Sequence, residues 1–239
     1  MKSRMASVFL TVFLSLPAYA ADVTVAVASN FLSTAEQLVE AYENRSGDGI
    51  ILTHGSTGQI YAQLRSGAPF DIFLSADALR PELLLEEGIA TETRTYAKGR
   101  LVLVSRDPVA PETIAGQFEG QAVALADPTV APYGLAATSA MERLNLDTAT
   151  FQPVLVANVG QASTIFLTGN ADFAFVAASL LPRLDEAEVF ELDGLHPPIQ
   201  QVAARMIPPG QRPEVDAFWS YLFGEEALAI ISRSGYDLP

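Results

Sequence analysis

The chain contains no cysteine, two histidines (His54 and His196) and one tryptophan among its 239 residues. Without cysteine there is no disulfide and no thiolate metal site, and cysteine usage says nothing of the redox compartment. Two histidines are too few for a His-rich metal centre, and neither sits in a local motif that would make it the base of a Ser-His-Asp set. Positive charge is scarce as well: 14 Lys and Arg against 28 Asp and Glu leave a formal net charge of −14. So acidic a chain repels nucleic acid and anionic lipid at long range, and no nucleic-acid partner is expected. It would repel a small anion too, so any anion site must act through close, directed hydrogen bonds. Beyond the first twenty residues no stretch is apolar for long enough to cross a bilayer. There is no repeat and no low-complexity tract. What remains is plentiful apolar material, 49% of residues, enough for one large domain or two small ones with sizeable cores.

The N-terminus carries Lys2 and Arg4, then the short apolar run Val8–Leu16, then Ala18-Tyr19-Ala20. A positive start, a short apolar core and a small-x-small site make residues 1–20 a secretory signal peptide, with the mature chain starting at Ala21. Its removal deletes two positive charges and moves the net charge from −14 to −16. Export to the periplasm is therefore expected.

From there the chain alternates. Val23–Ala28 reads as a buried strand, followed by Ser29-Asn30 and apolar residues at helical spacing through Tyr42. The helix starts at Asn30 or one turn later, where Ser33 and Glu36 could form a capping box. Ile50-Ile51-Leu52 reads as a second buried strand, with a helix from about Gln59 to Arg65. Asp71–Leu74 reads as a third strand, with a helix from Leu79 to Glu87 closed by Gly88. After the extended run 100–105 and a Pro- and Gly-containing segment the pattern restarts. Strands are expected at Ala122–Ala126, Val154–Asn158 and Phe173–Val176, with a further one at 188–192. Asp127–Gly134 and Val159-Gly160-Gln161 read as turns before helices. A last extended run near 201–207 precedes a helical C-terminus, with Trp219 in the core. Two similar α/β units with two crossings make two lobes and a cleft: 21–103 and 204–239 as the first lobe, 104–203 as the second. Open α/β sheets bind ligands beyond the carboxyl ends of their strands.

Four strand-to-helix turns fall there, two in each lobe: Ser29-Asn30, Ser56-Thr57-Gly58, Ala131-Pro132-Tyr133-Gly134 and Asn158-Val159-Gly160-Gln161. Each offers neutral donors and none carries a charge. A fully deprotonated oxyanion needs donors only, and oriented neutral dipoles in a dry cleft can supply them. A protonated phosphate would want a carboxylate acceptor. An amino acid would want an arginine and an aspartate. The glycine-bounded turn at 55–58 lacks the Gly-Lys-Ser/Thr ending of a P-loop and the spacing of a dinucleotide fingerprint. Each turn also has a plainer reading, as a helix cap by Ser56 or Thr57 or a turn with a packed tyrosine ring.

Several stretches resemble one family: Val25–Phe31, Gly55–Gln59, Ser66–Asp77 with its Gly-Ala-Pro…Ser-Ala-Asp pattern, Ala131–Ala136, Asp172–Ala177, and the ending from Ile230 to Tyr236. They resemble the periplasmic molybdate-binding proteins of bacterial ABC transporters (the ModA type), over nearly the whole mature chain. The resemblance implies an α/β fold of two lobes, the type II periplasmic binding protein fold, with a ligand cleft between them. It implies a receptor for molybdate and for tungstate, held by hydrogen bonds to its oxygens with no direct coordination of the metal by the protein. Carried over motif by motif, the ligand contacts are Ser29, Asn30, Thr57, Tyr133 and the backbone N–H of Val159, with Ser56 a neighbour. Thr57 stands where many members carry serine. Ala177 stands where some carry a donor tyrosine, so Asn30 or a backbone N–H would have to replace that donor. No cofactor beyond the anion is expected, nor catalysis. The expected partner is a membrane permease, and the receptor is expected to be a monomer. The alternatives are a receptor for sulfate or another tetrahedral oxyanion, or a secreted hydrolase on the same scaffold, which lacks a nucleophile–base pair in these turns.

Overall fold

A computed structural model describes residues 22–110, 113–184 and 186–239. The expected signal peptide and its cleavage site lie outside them. No helix among the described residues is long and apolar enough to cross a membrane.

The strands β1 (Val23–Ala28), β2 (Ile50–Gly55), β3 (Ile72–Ser75) and β4 (Glu92–Gly99) alternate with helices α1 (Leu32–Ser46), α2 (Thr57–Arg65) and α3 (Leu79–Glu86). Next come β5 (Leu101–Ser105), the short α4 (Ile114–Gln117), β6 (Ala122–Ala126), α5 (Pro132–Arg143), β7 (Gln152–Val156), α6 (Val159–Leu167), β8 (Phe173–Ala177) and β9 (Glu188–Glu191). The chain ends with β10 (Ile199–Arg205), α7 (Pro213–Leu222) and α8 (Glu225–Arg233). Two five-stranded sheets result, ordered β2-β1-β3-β10-β4 and β7-β6-β8-β5-β9. Each has a parallel trio at one side, β2-β1-β3 and β7-β6-β8. Each is then entered by an antiparallel strand, β10 between β3 and β4, or β5 between β8 and β9. The sheets are therefore mixed rather than wholly parallel, because β5 and β10 arrive from the other lobe and run the opposite way.

Leu101–Ser105 pairs only within the second sheet and Ile199–Arg205 only within the first. The chain thus passes between sheets at Arg100 and over 192–198, whereas the expected lobe boundaries, after 103 and after 203, lie inside paired strands. A strand shared between two sheets would leave ladder groups unpaired in the interior.

Four local readings differ from expectation. Ile50-Ile51-Leu52 is not a buried strand: β2 is an edge, with Ile51 50% exposed, and His54 on it is exposed as well. The segment Glu92–Gly99 carries no apolar run and escapes periodicity, yet it forms the opposite edge by pairing with β10. A single 3-10 turn, Ser29–Phe31, runs straight into α1, so no Ser33–Glu36 box caps that helix. The capping box is instead at α2, where Ser56 and Gln59 exchange side-chain and backbone hydrogen bonds.

Each sheet has its own core. Trp219, Phe218 and Val215 of α7 and Ile231 of α8 pack with Val25, Val27 and Leu38, which returns the C-terminus to the first sheet. The second core gathers β5, β6 and β8 around Phe118, which stacks on Phe173 at 4.4 Å between ring centroids. The C-terminal return is pinned electrostatically. Asp71, 5% exposed, accepts from Thr24 N at 2.8 Å and from Arg212 Nη1 at 2.6 Å. Buried Arg205 pairs with Asp216 and donates to the Ile207 carbonyl. Asp71→Ala would leave the Thr24 amide without its carboxylate acceptor and remove one of the partners of Arg212, which keeps Glu214, so we expect a loss of about 1–3 kcal/mol in urea unfolding. Anion affinity should stay unchanged, since Asp71 lies at the start of β3 and the cleft at its end.

Candidate anion-binding site

A small cavity lies between the lobes at the carboxyl ends of the strands. Its walls are Ala28-Ser29-Asn30 after β1, Gly55-Ser56-Thr57 after β2, Ala76 after β3, Ala131-Pro132-Tyr133 after β6 and Asn158-Val159 after β7. The space inside it that the centre of a water-sized sphere can reach is about 10 Å³, a pocket on the scale of one small ion rather than of a sugar, peptide or nucleotide. Ser29, Asn30, Thr57, Tyr133 and Val159 all border it, brought together from both lobes, with Ser56 beside them. All are shielded, from Thr57 at 1% exposed to Ser29 at 9%, so hydrogen bonds made inside are little weakened by water.

Helix starts supply the backbone. Pro132-Tyr133-Gly134 and Val159-Gly160-Gln161 are not turns but the first turns of α5 and α6. With α2 starting at Thr57 and the 3-10 turn at Ser29, four helical N-termini face one cavity. Their first N–H groups have no partner inside the helix and carry the positive end of the helix dipole. The local sequence builds these starts. Ser56 accepts from Gln59 N at 3.3 Å and Asn158 Oδ1 from Gln161 N at 3.0 Å, while proline at N1 starts α5. Gly134 is required by close approach: a Cβ there would lie 2.2 Å from the Ala126 carbonyl oxygen, so only glycine lets α5 begin against the end of β6.

The side-chain hydroxyls are polarised. Thr57 Oγ1 accepts from Ala76 N at 3.2 Å, and Ser29 Oγ accepts from Gly160 N at 3.4 Å across the cleft. An oxygen already receiving an N–H keeps its single proton free to donate elsewhere, and both oxygens belong to residues that border the cavity. Asn30 behaves differently from the expectation that its amide could replace a missing tyrosine donor. Its Nδ2 donates to Gln201 Oε1 at 3.0 Å and to the Tyr236 hydroxyl at 2.9 Å, which leaves its backbone N–H for the cavity. Asn158, whose amide oxygen is taken by its cap, also borders the cavity. Only its place in the Asn158–Gln161 turn could have singled it out from sequence.

Among the described residues no charged one borders the cavity. The nearby Arg80 and Asp77 pair with each other at the start of α3. Burial, above all, holds the phenols of Tyr96, Tyr133 and Tyr236 above their ordinary value of 10.0. The site therefore keeps its protons, and its donor character, throughout the neutral range. The unfolded chain releases these protons above pH 10 while the folded state retains them. Stability is thus full below the ordinary phenol value and falls above it, by roughly 1.4 kcal/mol per pH unit per phenol. Urea midpoints measured on either side of about pH 10 should show that decline.

The lobes touch across the cleft. Gly58 N donates to the Val130 carbonyl at 2.9 Å, Arg80 Nη2 to the Thr129 carbonyl at 3.4 Å, and Ser179 Oγ to the Asn30 carbonyl at 2.9 Å.

Comparison with known proteins agrees with this geometry. Residues 23–237 match the family described as bacterial extracellular solute-binding protein. The molybdate-binding protein ModA of Rhodobacter capsulatus is 37% identical, over 95% of this chain and 92% of that one. The ModA of Azotobacter vinelandii is 35% identical, over 94% and 93%. The solved structure of the Azotobacter vinelandii periplasmic molybdate-binding protein superposes with a TM-score of 0.84 at 33% identity, covering 91% of this chain and all of that one. On these matches the chain belongs to the bacterial extracellular solute-binding protein family, among the ModA proteins.

Proposed function

We infer that this protein is a periplasmic receptor that captures molybdate and hands it to the membrane permease of an ABC transporter. The observation that carries the reading is a buried cavity bordered by hydrogen-bond donors from both lobes and by no charged group. Such a set suits an anion that only accepts, and it disfavours one that must also donate. The relatives' names supply the identity of the anion. Tungstate has the same charge and nearly the same size, so it should bind as well. Ser29, Thr57 and Tyr133 would donate through hydroxyls, and Asn30 and Val159 through backbone N–H groups, all to the oxygens and none to the metal. The role is binding rather than turnover, performed as a monomer, with no cofactor beyond the anion.

Binding that bridges the lobes favours their closed arrangement, which is the form a permease can distinguish from the empty one. The test is calorimetric titration of the mature, ligand-stripped protein with molybdate, tungstate, sulfate and phosphate. Tight one-to-one binding of the first two, with the others silent, supports the reading. Sulfate binding alone would keep the donor cavity but replace the substrate, and silence from all four would reduce the four turns to helix caps.

A further inference from the structure

Next to Tyr133 lies a fully buried side chain that no contact assignment above includes. Gln201, on β10, is 0% exposed. Its Oε1 accepts from Asn30 Nδ2 at 3.0 Å and lies 3.3 Å from the Tyr96 hydroxyl, whose one proton is shared with the Ser75 carbonyl at 3.1 Å. The Asn30 donor sets the Gln201 oxygen toward it, and Nε2 then points the other way. The β4–β10 register breaks between Gln201 and Val202 and skips Tyr96, an irregularity of the kind that re-aims side chains beside functional sites.

Nε2 of Gln201 and the hydroxyl of Tyr133 are both buried with no hydrogen-bond partner among the described residues. They converge on one point. A Cβ placed on Gly99 would lie 2.2 Å from the Tyr133 hydroxyl oxygen and 2.7 Å from Gln201 Nε2. Gly99 is therefore the residue that leaves room for the two to approach. Two orphaned polar atoms facing one small space are costly to bury unless a bound state uses them.

Two other cavity hydroxyls, Thr57 and Ser29, suggest what that use is. Thr57 receives the Ala76 N–H and Ser29 receives the Gly160 N–H, and each is left with one proton to give. No donor reaches the Tyr133 oxygen within hydrogen-bond geometry, although the Asn30 amide, committed to Gln201 and Tyr236, lies near enough to favour its ionised form, and Gln201 Nε2 is a donor without an acceptor. We propose that Gln201 is a positioning residue for the anion: its Nε2 donates to the Tyr133 oxygen in the bound state and so directs the phenol proton to the ligand. A phenol held in this way can give a hydrogen bond but not easily receive one. Gln201 thereby adds to the selection of a fully deprotonated oxyanion over a protonated one. This assignment rests on the receptor reading above.

The test is a double-mutant cycle read as molybdate dissociation constants by calorimetry: wild type, Gln201→Met, Tyr133→Phe and the double variant. If Gln201 acts through the phenol, Gln201→Met should weaken binding about 10-fold when the Tyr133 hydroxyl is present and less than about 2-fold in the Tyr133→Phe background. Equal losses in both backgrounds, or no loss in either, would overturn the assignment, since a purely structural role does not depend on one hydroxyl. Should Gln201→Met fail to fold, Gln201→Asn, which keeps a neutral amide but withdraws it by one methylene, replaces it, with the same dependence on the Tyr133 hydroxyl expected. A wild-type protein silent to molybdate would overturn the receptor reading and this assignment together. Tight wild-type binding with equal losses would overturn this assignment alone.

Discussion

Gly58→Ala is expected to weaken molybdate binding by between about 10- and 100-fold while leaving the ligand-free protein as stable as before or more so. Gly58 sits in the first turn of α2, where alanine is the better helix former. Its constraint comes from the other lobe. A Cβ there would stand 2.9 Å from the Val130 carbonyl oxygen and 3.0 Å from Val130 Cα, with Arg80 Nη2 at 3.2 Å. The first two are backbone atoms and cannot swing aside. The nearest relief is for the lobes to part, which also stretches the Gly58 N–H to Val130 carbonyl bond of 2.9 Å. Overpacking of this kind costs about 1–3 kcal/mol, and the cost falls on the arrangement in which the lobes touch, the one that an anion bridging them would favour. Calorimetry for affinity and thermal melting for stability would read the two effects separately. Unchanged affinity would mean that binding does not bring the lobes this close, and lower ligand-free stability would mean that Gly58 serves the fold of its own lobe.

Tyr133→Phe is the second large effect, again with opposite signs on binding and stability. The hydroxyl is buried and has no partner among the described residues, so removing it spares the ligand-free protein a desolvated polar group. We expect stability to hold or to rise by up to about 1 kcal/mol. Affinity should fall by about 10- to 100-fold, because a donor to a charged acceptor in a dry site is lost. Thr57→Ala should behave alike for affinity but not for stability. Its Oγ1 accepts the Ala76 N–H, and truncation leaves that amide unsatisfied. Thr57→Ser, which keeps the oxygen, should bind within about 3-fold of the parent. If Tyr133→Phe binds molybdate as the parent does, the phenol is a packed ring and the anion is held by the remaining donors.

Both predictions express one design. The cleft keeps a glycine where alanine would make a better helix and a phenol where phenylalanine would pack more cheaply. Local rules are broken here where the anion is expected to bind.

Much of this was legible in the sequence, for a physical reason. Strands and helices at β1, β6, β8 and α7 declare themselves by apolar runs or periodicity, because those elements bury a face in a core regardless of what surrounds them. The four donor-bearing turns were visible too, since hydroxyls, amides and glycines concentrate at helix starts, and charge is missing from each. Family resemblance named the anion. Tertiary structure alone decided the rest. β4 was invisible because Glu92–Gly99 is a polar edge, made a strand only by pairing with β10. β2 looked buried and is an edge, because apolar content does not reveal sheet order. Asn30 borders the cavity, as its position suggested, but its amide hydrogens are taken up by Gln201 and Tyr236, which follow it by 171 and 206 residues. Gln201 lies in no motif, and its importance arises only where a strand arriving from the other lobe sets it beside Gly99 and Tyr133. Local chemistry is written along the chain, whereas the direction in which each polar group points is settled by partners that are distant in sequence.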